Sequence, residues 1–332
     1  MGQSATTIGL DVGGTKIAVA RLEGAELASR ELVTTERSGT EPLLEQIASL
    51  VERHRTAAVA AVGLGVPSVV EFSTGRARSS VNVPLQDVPL RSVLRERLDL
   101  PVYVDNDATV AALAEAHDGE HFAVPDLVAF TVGTGIGAGL VLGGRVYRGA
   151  TGAAGEAGHQ IIGLDLSAGA PPAGSFPQRG SLEALASGGA LGELARAASR
   201  GDGALARRAS EGRALTGVDA VEAARAGDTD ALAALRVLGE RLGVGIANAI
   251  NVLDPLEVVI GGGVAAGAGE LLLAPARETA ARFVLPGVGQ STEIRLARHG
   301  AEAGVRGAAL LARLELDSSP ESTPTAPEET GT

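Results

Sequence analysis

Short apolar runs that end at glycine recur along this chain. The stretch TIGLDVGGTKIAVARL (7–22) reads as two short strands joined by a Gly13-Gly14 turn, which is typical of a β-hairpin. The stretch LVAFTVGTGIGAGLVLGGRVYRG (127–149) repeats this order of strand, glycine turn and strand. The pattern therefore predicts one strand pair of this kind in each half of the chain.

Other apolar runs lead into loops or helices. AAVGLGVPSVV (60–70) predicts a strand that enters a Gly/Pro loop, and PVYVDNDATVAALAEA (101–116) predicts a strand ending at Asp105. A helix is expected to begin directly afterwards, near Asp107 or Ala108.

The last third of the chain adds a helix and a strand. Helical spacing covers 231–255 and stops before Pro255, and LEVVIGGGVA (256–265) predicts a buried strand that breaks at three glycines. Because hairpins are mixed with strand-to-helix units, the expected class is α/β with a mixed sheet.

The repeated unit bears on domain organisation. DVGGTK and TVGTGIG occupy equivalent places in the two halves, which suggests two related lobes that face each other across a cleft. The expected domains are an N-terminal α/β lobe (1–117), completed by a C-terminal helix near 301–316, and a C-terminal α/β lobe (118–300). The last stretch (317–332) is rich in Pro, Ser, Thr and Glu and has no apolar period, so we expect it to be disordered.

Composition narrows the function classes. A chain of 332 residues is long enough for two domains, and its formal net charge of -12 does not favour nucleic-acid or acidic-membrane binding. The sequence contains no cysteine, which excludes disulfides and thiolate metal sites. Neither a secretory signal nor a membrane-spanning run is recognisable, so a cytoplasmic protein is expected.

The glycine turns point to phosphate binding. Backbone N–H groups of such turns can converge on an anion because no Cβ obstructs its approach. A Walker A loop does not occur, and the dinucleotide pattern at Gly133, Gly135 and Ala138 continues as a strand where a helix would be required. Asp11 precedes the first turn, and a carboxylate beside a phosphate implies Mg²⁺ between them. Metal-bound nucleotide is therefore the expected ligand.

Four segments resemble the signatures of the ROK (repressor, open reading frame, kinase) sugar kinases, most closely the bacterial glucokinases. They are DVGGTK (11–16), VDNDATVAALAE (104–115), GTGIGAGLVLGGRVYRGATGAAGEAGH (133–159) and SLEALASG (181–188), within a match that runs from about residue 7 to 315. The resemblance implies an actin-like, hexokinase-type ATPase fold of two lobes around a cleft, with ATP and a sugar bound between the lobes. It also implies a homodimer.

The resemblance assigns the sugar site residue by residue. Asp107 matches the family's catalytic base and Asn106 its neighbouring sugar ligand. The other positions that match sugar contacts, or lie beside them, are Gly65, Asn82, Glu156, His159 and Glu183. Such a mixture of Asn, Glu and His can both accept hydrogen bonds from sugar hydroxyls and donate to them.

The nucleotide side is assigned in the same way. Residues of the two phosphate turns and the turn near the adenosine are Asp11, Gly13, Gly14, Thr15, Lys16, Thr134, Gly135, Gly262 and Gly263. Asp11 would hold Mg²⁺ with ATP, through water. Lys16 could approach a phosphate, although a plain surface lysine is equally consistent with the sequence.

Phosphoryl transfer to a hydroxyl needs alignment, charge neutralisation and a proton acceptor. Asp107 lies at a predicted strand-to-helix junction and suits the acceptor role, to which a positioned carboxylate contributes about 10²–10⁴-fold. An ordinary helix N-cap is the alternative reading of Asp107. Asp105 is the other candidate carboxylate, and we rank it second as a supporting group.

One departure from the family concerns zinc. Relatives hold a structural zinc with the histidine that matches His159 and three cysteines before the acid that matches Glu183. Here the last cysteine position is Ser181, and the others fall in LSAGAPPAGSFPQRG, so no structural zinc is expected. Either other contacts, such as the Pro171-Pro172 pair and Phe176, hold this loop and catalysis survives, or the site is loosened. We favour the first outcome because the base, the metal-side acid and the phosphate turns are all present.

The expected function is ATP-dependent phosphorylation of a hexose, most simply glucose to glucose 6-phosphate. The alternatives are a kinase for mannose, fructose or an N-acetylated amino sugar, or a catalytically weakened sugar-binding protein of the same family. A repressor role is disfavoured because only a few residues precede Ile8 and the chain is acidic.

Overall fold

A computed structural model describes residues 5–80, 82–199, 203–212 and 214–318. By internal packing the described chain divides into two units. The first contains the chain up to Asp107 and the segment from Val305 onward, and the second contains Ala108–Gly304. The predicted disordered tail lies outside the described residues from position 319 onward.

The first unit begins with strands. Its elements, in chain order, are β1 (Thr6–Val12), β2 (Lys16–Glu23), β3 (Glu26–Thr34), α1 (Thr40–His54), β4 (Val59–Val66), β5 (Val69–Glu71), β6 (Arg76–Ser79), α2 (Leu90–Leu98) and β7 (Val102–Asn106). Helix α3 (Asp107–Ala116) starts at the boundary of the units, and α11 (Ala303–Asp317) returns the chain to the first unit.

A mixed five-stranded sheet organises the first unit. Its strand order is β3-β2-β1-β4-β7, with antiparallel pairs at β3-β2 and β2-β1 and parallel pairs at β1-β4 and β4-β7. The hairpin predicted over 7–22 is confirmed. Alternate residues of the central strands, such as Leu10 and Leu64, are fully buried and pack with apolar residues of α1 and α2, including Ile47 and Leu94. Because successive side chains of a strand point to opposite faces of the sheet, these apolar residues share one face and form this core.

Helix α11 covers another part of the same strands at very short range. A Cβ on Gly9 would overlap the carbonyl of Val305, and one on Gly63 would overlap the carbonyl of Ala308. The hydroxyl of Thr7 donates to the carbonyl of Ala309 at 2.8 Å. The two glycines therefore let a helix backbone lie directly on β1 and β4.

The second unit is richer in helices. After most of α3, its elements are β8 (Leu127–Val132), β9 (Ile136–Val141), α4 (Leu182–Ala186), α5 (Gly188–Ala198), α6 (Ala204–Ser210), α7 (Gly217–Arg225), α8 (Thr229–Leu253), β10 (Glu257–Gly261), α9 (Gly262–Ala268), α10 (Glu270–Phe283) and β11 (Glu293–Leu296). Short 3₁₀ turns cover Ala157–His159 and Gly300–Glu302.

The four-stranded sheet of the second unit repeats the topology of β2, β1, β4 and β7 in the first. Its order is β11-β10-β8-β9, with β8 antiparallel to β9 and parallel to β10, and with β10 parallel to β11. In both sheets a hairpin is therefore extended by two parallel strands on the side of its first strand. This topology confirms the internal repeat that the two glycine turns predict.

Helix α3 belongs to the second unit because it packs on the hairpin there. A Cβ on Gly139 of β9 would overlap the carbonyl of Ala108. At its far end, buried Glu115 accepts hydrogen bonds from the backbone N–H of Arg298 at 3.0 Å and of His299 at 2.9 Å, and it pairs with buried Arg295 at 2.7 Å. Although burial raises the pKa of Glu115, these bonds leave it below its ordinary value.

The core of the second unit lies around α8, which confirms the helix predicted near 231–255. Gly239 and Gly243 of α8 lie against the backbone of α10, where added Cβ atoms would approach the carbonyls of Leu272 and Ala276 to 2.6 and 2.5 Å. None of the helices in the described ranges combines the length and the hydropathy that a membrane span requires.

Candidate functional site

The carboxyl ends of three parallel strands gather polar residues in the first unit. Asp11 of β1 is in register with Gly65 of β4, and Gly65 is in register with Asp105 of β7. Asn106 ends β7, and Asp107 begins α3. Parallel pairing therefore aligns the predicted metal-side acid with the strand end that carries the predicted base.

The two carboxylates Asp11 and Asp107 influence each other. Burial and, to a smaller extent, the negative charge of Asp107 together raise the pKa of Asp11 to about 7. A carboxylate in this environment is stabilised by a cation, which neutralises both charges. The environment of Asp11 therefore fits a metal-side acid.

The first glycine turn is held by main-chain bonds and by one threonine. The N–H of Gly13 donates to the carbonyl of Lys16 at 2.9 Å. Thr35 donates its hydroxyl to the carbonyl of Gly13 at 2.7 Å and its N–H to the carbonyl of Thr15 at 3.0 Å. Thr15 and Lys16 are exposed at the turn, where a phosphate could approach them.

Asn82 packs against the first glycine turn in space, although it is distant from that turn in sequence. A Cβ on Gly14 would stand 2.9 Å from the Asn82 Cβ. Asn106 donates from its amide to the carbonyl of Ser68 at 3.3 Å. Ser68 itself is buried and donates to the carbonyl of Ser79 at 2.7 Å. The structure thus brings the predicted sugar ligand Asn82 beside the predicted phosphate turn.

The second glycine turn joins β8 to β9. The N–H of Gly133 donates to the carbonyl of Gly135 at 2.9 Å, and the N–H of Gly188, at the start of α5, donates to the carbonyl of Gly133 at 2.7 Å. Thr134 is exposed at the tip of this turn. Gly262, at the start of α9, has φ +85° and lies so close to Val132 that a Cβ would overlap its backbone.

Glu183 reaches the same turn from α4. Its Oε2 accepts the backbone N–H of Ile136 at 2.7 Å, and a Cβ on Gly135 would overlap its carboxylate. Ser181 begins α4 as its N-cap, accepting from the N–H of Ala184 at 3.2 Å. Ser181 is completely buried. The position where zinc-binding relatives are expected to carry a cysteine therefore caps the helix that presents Glu183.

The Glu156–His159 segment packs on the start of β9. A Cβ on Gly158 would overlap the carbonyl of Ile136, so this 3₁₀ turn lies on the residue whose N–H binds Glu183. The Glu156 Oε2 and His159 Nε2 atoms are 3.7 Å apart. The three predicted sugar ligands of this unit therefore come from two segments that meet at the backbone of Ile136.

The loop between His159 and Glu183 is closed by its own hydrogen bonds. The N–H groups of Ile162 and Gly163 both donate to the carbonyl of Gly180, at 2.8 and 3.1 Å, and Leu182 N–H donates to the carbonyl of Gln160 at 2.9 Å. Gly180 has φ +85°, a conformation that favours glycine. The base of the loop is thus fixed by backbone pairing.

Phe176 ties the tip of the loop to His159. The two rings make an edge-to-face contact with centroids 5.4 Å apart, although the Phe176 side chain is largely exposed. Phe176 therefore contacts His159, while its predicted role in holding the loop stays a prediction. The buried Nδ1 of His159 has no hydrogen-bond partner among the described residues. In the same described ranges no group of three or more His, Asp or Glu side chains could hold a metal ion.

Sequence reasoning missed the groups that fix the turns. Thr35 and Gly188 hold the two glycine turns, and Ser181 caps α4. The stretch SLEALASGGAL carried a signal for Ser181, because Ser181 and Ser187, six residues apart, each cap a short helix. Nothing in the local sequence pointed to Thr35.

Comparison with known proteins identifies the class and then the family. A ROK family glucokinase from Streptomyces griseus in complex with glucose and AMPPNP superposes with TM-score 0.78 and 31% identity, covering 93% of this chain and 99% of that chain. The predicted actin-like, hexokinase-type ATPase fold is confirmed. The ROK family model matches residues 7–315, and the chain belongs to the ROK family.

Two relatives of known name extend this comparison. A glucokinase of Halalkalibacterium halodurans is 35% identical over 324 residues, covering 94% of this chain and 96% of that protein. An N-acetyl-D-glucosamine kinase of Vibrio vulnificus is 33% identical over 312 residues, covering 91% of this chain and 98% of that protein.

Proposed function

We propose that this protein transfers the γ-phosphoryl group of ATP to a hexose, with glucose as its preferred substrate and the 6-hydroxyl as the acceptor. The enzyme class, a sugar kinase of hexokinase type, follows from the family and from relatives that are glucokinases. The proposal adds two things to this class, namely the identity of the sugar and the roles of individual residues.

One observation carries the residue assignment. Asp11 near the end of β1 and Asp107 directly after β7 interact electrostatically at the same edge of the sheet, beside a glycine turn on which Asn82 packs. Phosphoryl transfer requires a cation beside the phosphates and a proton acceptor beside the hydroxyl. Two acids in one strand-end cluster supply one residue for each task.

The reaction assigns these tasks as follows. The oxygen of the sugar hydroxyl forms a bond to the γ-phosphorus, and Asp107 accepts the proton of that hydroxyl. The bond from that phosphorus to the β-γ bridging oxygen breaks, and ADP leaves. Asn106 and Asn82 orient the sugar. The two glycine turns bind the phosphates through N–H groups such as those of Gly14 and Thr134, because the Gly13 N–H is already bonded to the Lys16 carbonyl.

A magnesium ion fits the acid of β1. Asp11 is a poorly solvated carboxylate with a raised pKa, and a bound cation would stabilise its ionised form. When bound with the nucleotide, Mg²⁺ neutralises the charge on the phosphates. Asp11 would hold it through water molecules.

The test is a coupled assay of ADP release with glucose, mannose, fructose and N-acetylglucosamine, repeated with polyphosphate as donor. Glucose with ATP should give the highest kcat/KM, and Asp107→Asn should lower kcat by about 10²–10⁴-fold. Glu193→Gln, which changes an exposed acid on α5, is the matched control and should keep full turnover.

Three outcomes would contradict parts of the proposal. No ADP release with any sugar would reject kinase activity, and calorimetry with glucose would then distinguish a silent sugar-binding protein. Full turnover by Asp107→Asn would place the base elsewhere. A higher kcat/KM for N-acetylglucosamine would favour the second candidate substrate, which the Vibrio vulnificus relative suggests.

The homodimer implied by the family resemblance belongs to the same proposal. Light scattering on the purified protein should give twice the chain mass of 33.2 kDa. A monomeric mass at the concentration of the assay would reject it.

A further inference from the structure

Glu183 contacts the second glycine turn at its exit. Its Oε2 accepts the N–H of Ile136 at 2.7 Å, and Ile136 is a buried residue at the first position of β9. Within the described part of the chain, this backbone N–H is the hydrogen-bond donor to the carboxylate. A hydrogen bond to an ionised acceptor is stronger than one between neutral groups.

The entry of the turn is fixed by the same segment. Gly188 follows Glu183 by five residues, and its N–H donates to the carbonyl of Gly133 at 2.7 Å. A Cβ on Gly188 would stand 2.7 Å from that carbonyl oxygen, so the two backbones are in direct contact. The segment 181–188 therefore binds both ends of the turn. Gly188 binds the entry through its backbone, and Glu183 binds the exit through its side chain.

We propose that Glu183 is a positioning residue for the Gly133–Gly135 turn in addition to its sugar contact. Its Oε2 fixes the direction of the Ile136 peptide and hence of the turn N–H groups. Its Oε1 is left for a sugar hydroxyl. One carboxylate thus joins the sugar side to the phosphate side of the second unit, and sugar and nucleotide affinities become coupled. The coupling, though not the turn geometry, rests on the proposed kinase function.

The decisive comparison is between Glu183→Ala and Glu183→Gln. Both variants remove the negative charge, but only glutamine keeps an oxygen that can accept the Ile136 N–H. The affinity for a non-hydrolysable ATP analogue, measured by calorimetry without sugar, should be about 10-fold weaker in Glu183→Ala than in Glu183→Gln. A residue that contacts only the sugar would leave these two affinities equal.

Glu156 provides the matched control pair. It is an exposed acid in the same unit, and the structure shows its carboxylate near His159 rather than near the turn. Glu156→Ala and Glu156→Gln should bind the nucleotide analogue with equal affinity, while glucose binding weakens in both. A nucleotide difference within this pair as large as that at Glu183 would overturn the proposal.

Hydrogen exchange tests the turn without any ligand. Amides of the peptide covering 133–137 should exchange faster in Glu183→Ala than in Glu183→Gln or the wild type. Equal exchange in all three proteins would overturn the proposal whether or not the protein is a kinase. If no sugar is phosphorylated but the exchange difference is present, the function fails and the positioning role stands. Should Glu183→Ala fail to fold, Glu183→Asp, whose shorter side chain falls short of Ile136, takes its place.

Discussion

The titration of Asp11 makes the stability of the ligand-free protein depend on pH. Its pKa is about 7 in the folded protein, against an ordinary value of 3.8. Between these values the folded state binds one more proton than the unfolded state. The free energy of unfolding therefore falls as the pH rises from 3.8 to 7, and the contribution levels off above that range.

The magnitude follows from the two pKa values. Each unit of difference corresponds to about 1.4 kcal/mol, so ionised Asp11 lowers the free energy of unfolding by roughly 4 kcal/mol above both values. Between pH 5 and pH 8 the change due to this residue alone is roughly 2.5–3 kcal/mol. The variant Asp11→Asn keeps the size of the side chain and removes the titration.

Urea unfolding at several pH values between 5 and 8, without magnesium or nucleotide, measures the effect. The stability difference between Asp11→Asn and the wild type should move in favour of the variant by roughly 2.5–3 kcal/mol across this range. Titrating groups that do not interact with Asp11 cancel in the difference, whereas Asp107 does interact with it and requires the double variant. Glu193→Gln should show no pH-dependent difference from the wild type.

The reasoning is refuted if the Asp11→Asn difference is constant with pH. A constant difference would mean that Asp11 ionises at its ordinary pKa in the folded protein. The double variant with Asp107→Asn provides a further check, because removal of the neighbouring charge should reduce the pH-dependent part of the Asp11 effect.

Three further substitutions test the packing that supports the site. Gly63→Ala forces a methyl group against the backbone of α11 and should lower the free energy of unfolding by about 1–3 kcal/mol. The control Ala61→Gly, on the same strand, should lower it by less. Equal and small losses in the two variants would count against the close approach of α11. Glu115→Gln removes one of the two buried carboxylates that pair with Arg295, the other being Glu257, and should lower the free energy of unfolding by about 1.5–3 kcal/mol at neutral pH. An unchanged free energy of unfolding would show that the Glu115 pair contributes no net stability. Ser181→Ala removes the cap of α4 and should cost about 0.5–2 kcal/mol, with Ser181→Thr restoring most of it; an unchanged melting temperature for the alanine variant would refute the capping role.

Local sequence was sufficient for the parts of the fold that depend on nearest neighbours in the chain. The hairpins at Gly13-Gly14 and Gly133–Gly135 and the strand-to-helix step at Asp107 were predictable, because apolar alternation and turn glycines act over a few residues. The register of Asp11 with Gly65 was not predictable, since parallel pairing joins strands through distant connections.

The bond from Glu183 to Ile136 shows a second limit. It spans 47 positions in sequence and joins a side chain to a main-chain N–H, which carries no residue-specific signal. Glu183 was recognisable as a candidate sugar ligand, whereas its contact with the turn required coordinates. The fold of the loop without cysteines was equally hidden, because its base is held by backbone pairing at Gly180.

The contact of α11 with Gly9 and Gly63 has a consequence for biosynthesis. The first unit is built from two separate parts of the chain, one that ends at Asp107 and one that begins at Val305. Helix α11, which covers β1 and β4, belongs to the second part and is synthesised after the whole of the second unit. At about 5–20 residues per second, a ribosome needs roughly 10–40 s to bridge that interval. During this time the nascent chain exposes one side of β1 and β4, while the second unit is being completed behind it. A chain that pauses or stops before α11 leaves these strands uncovered, so folding of the first unit waits for α11.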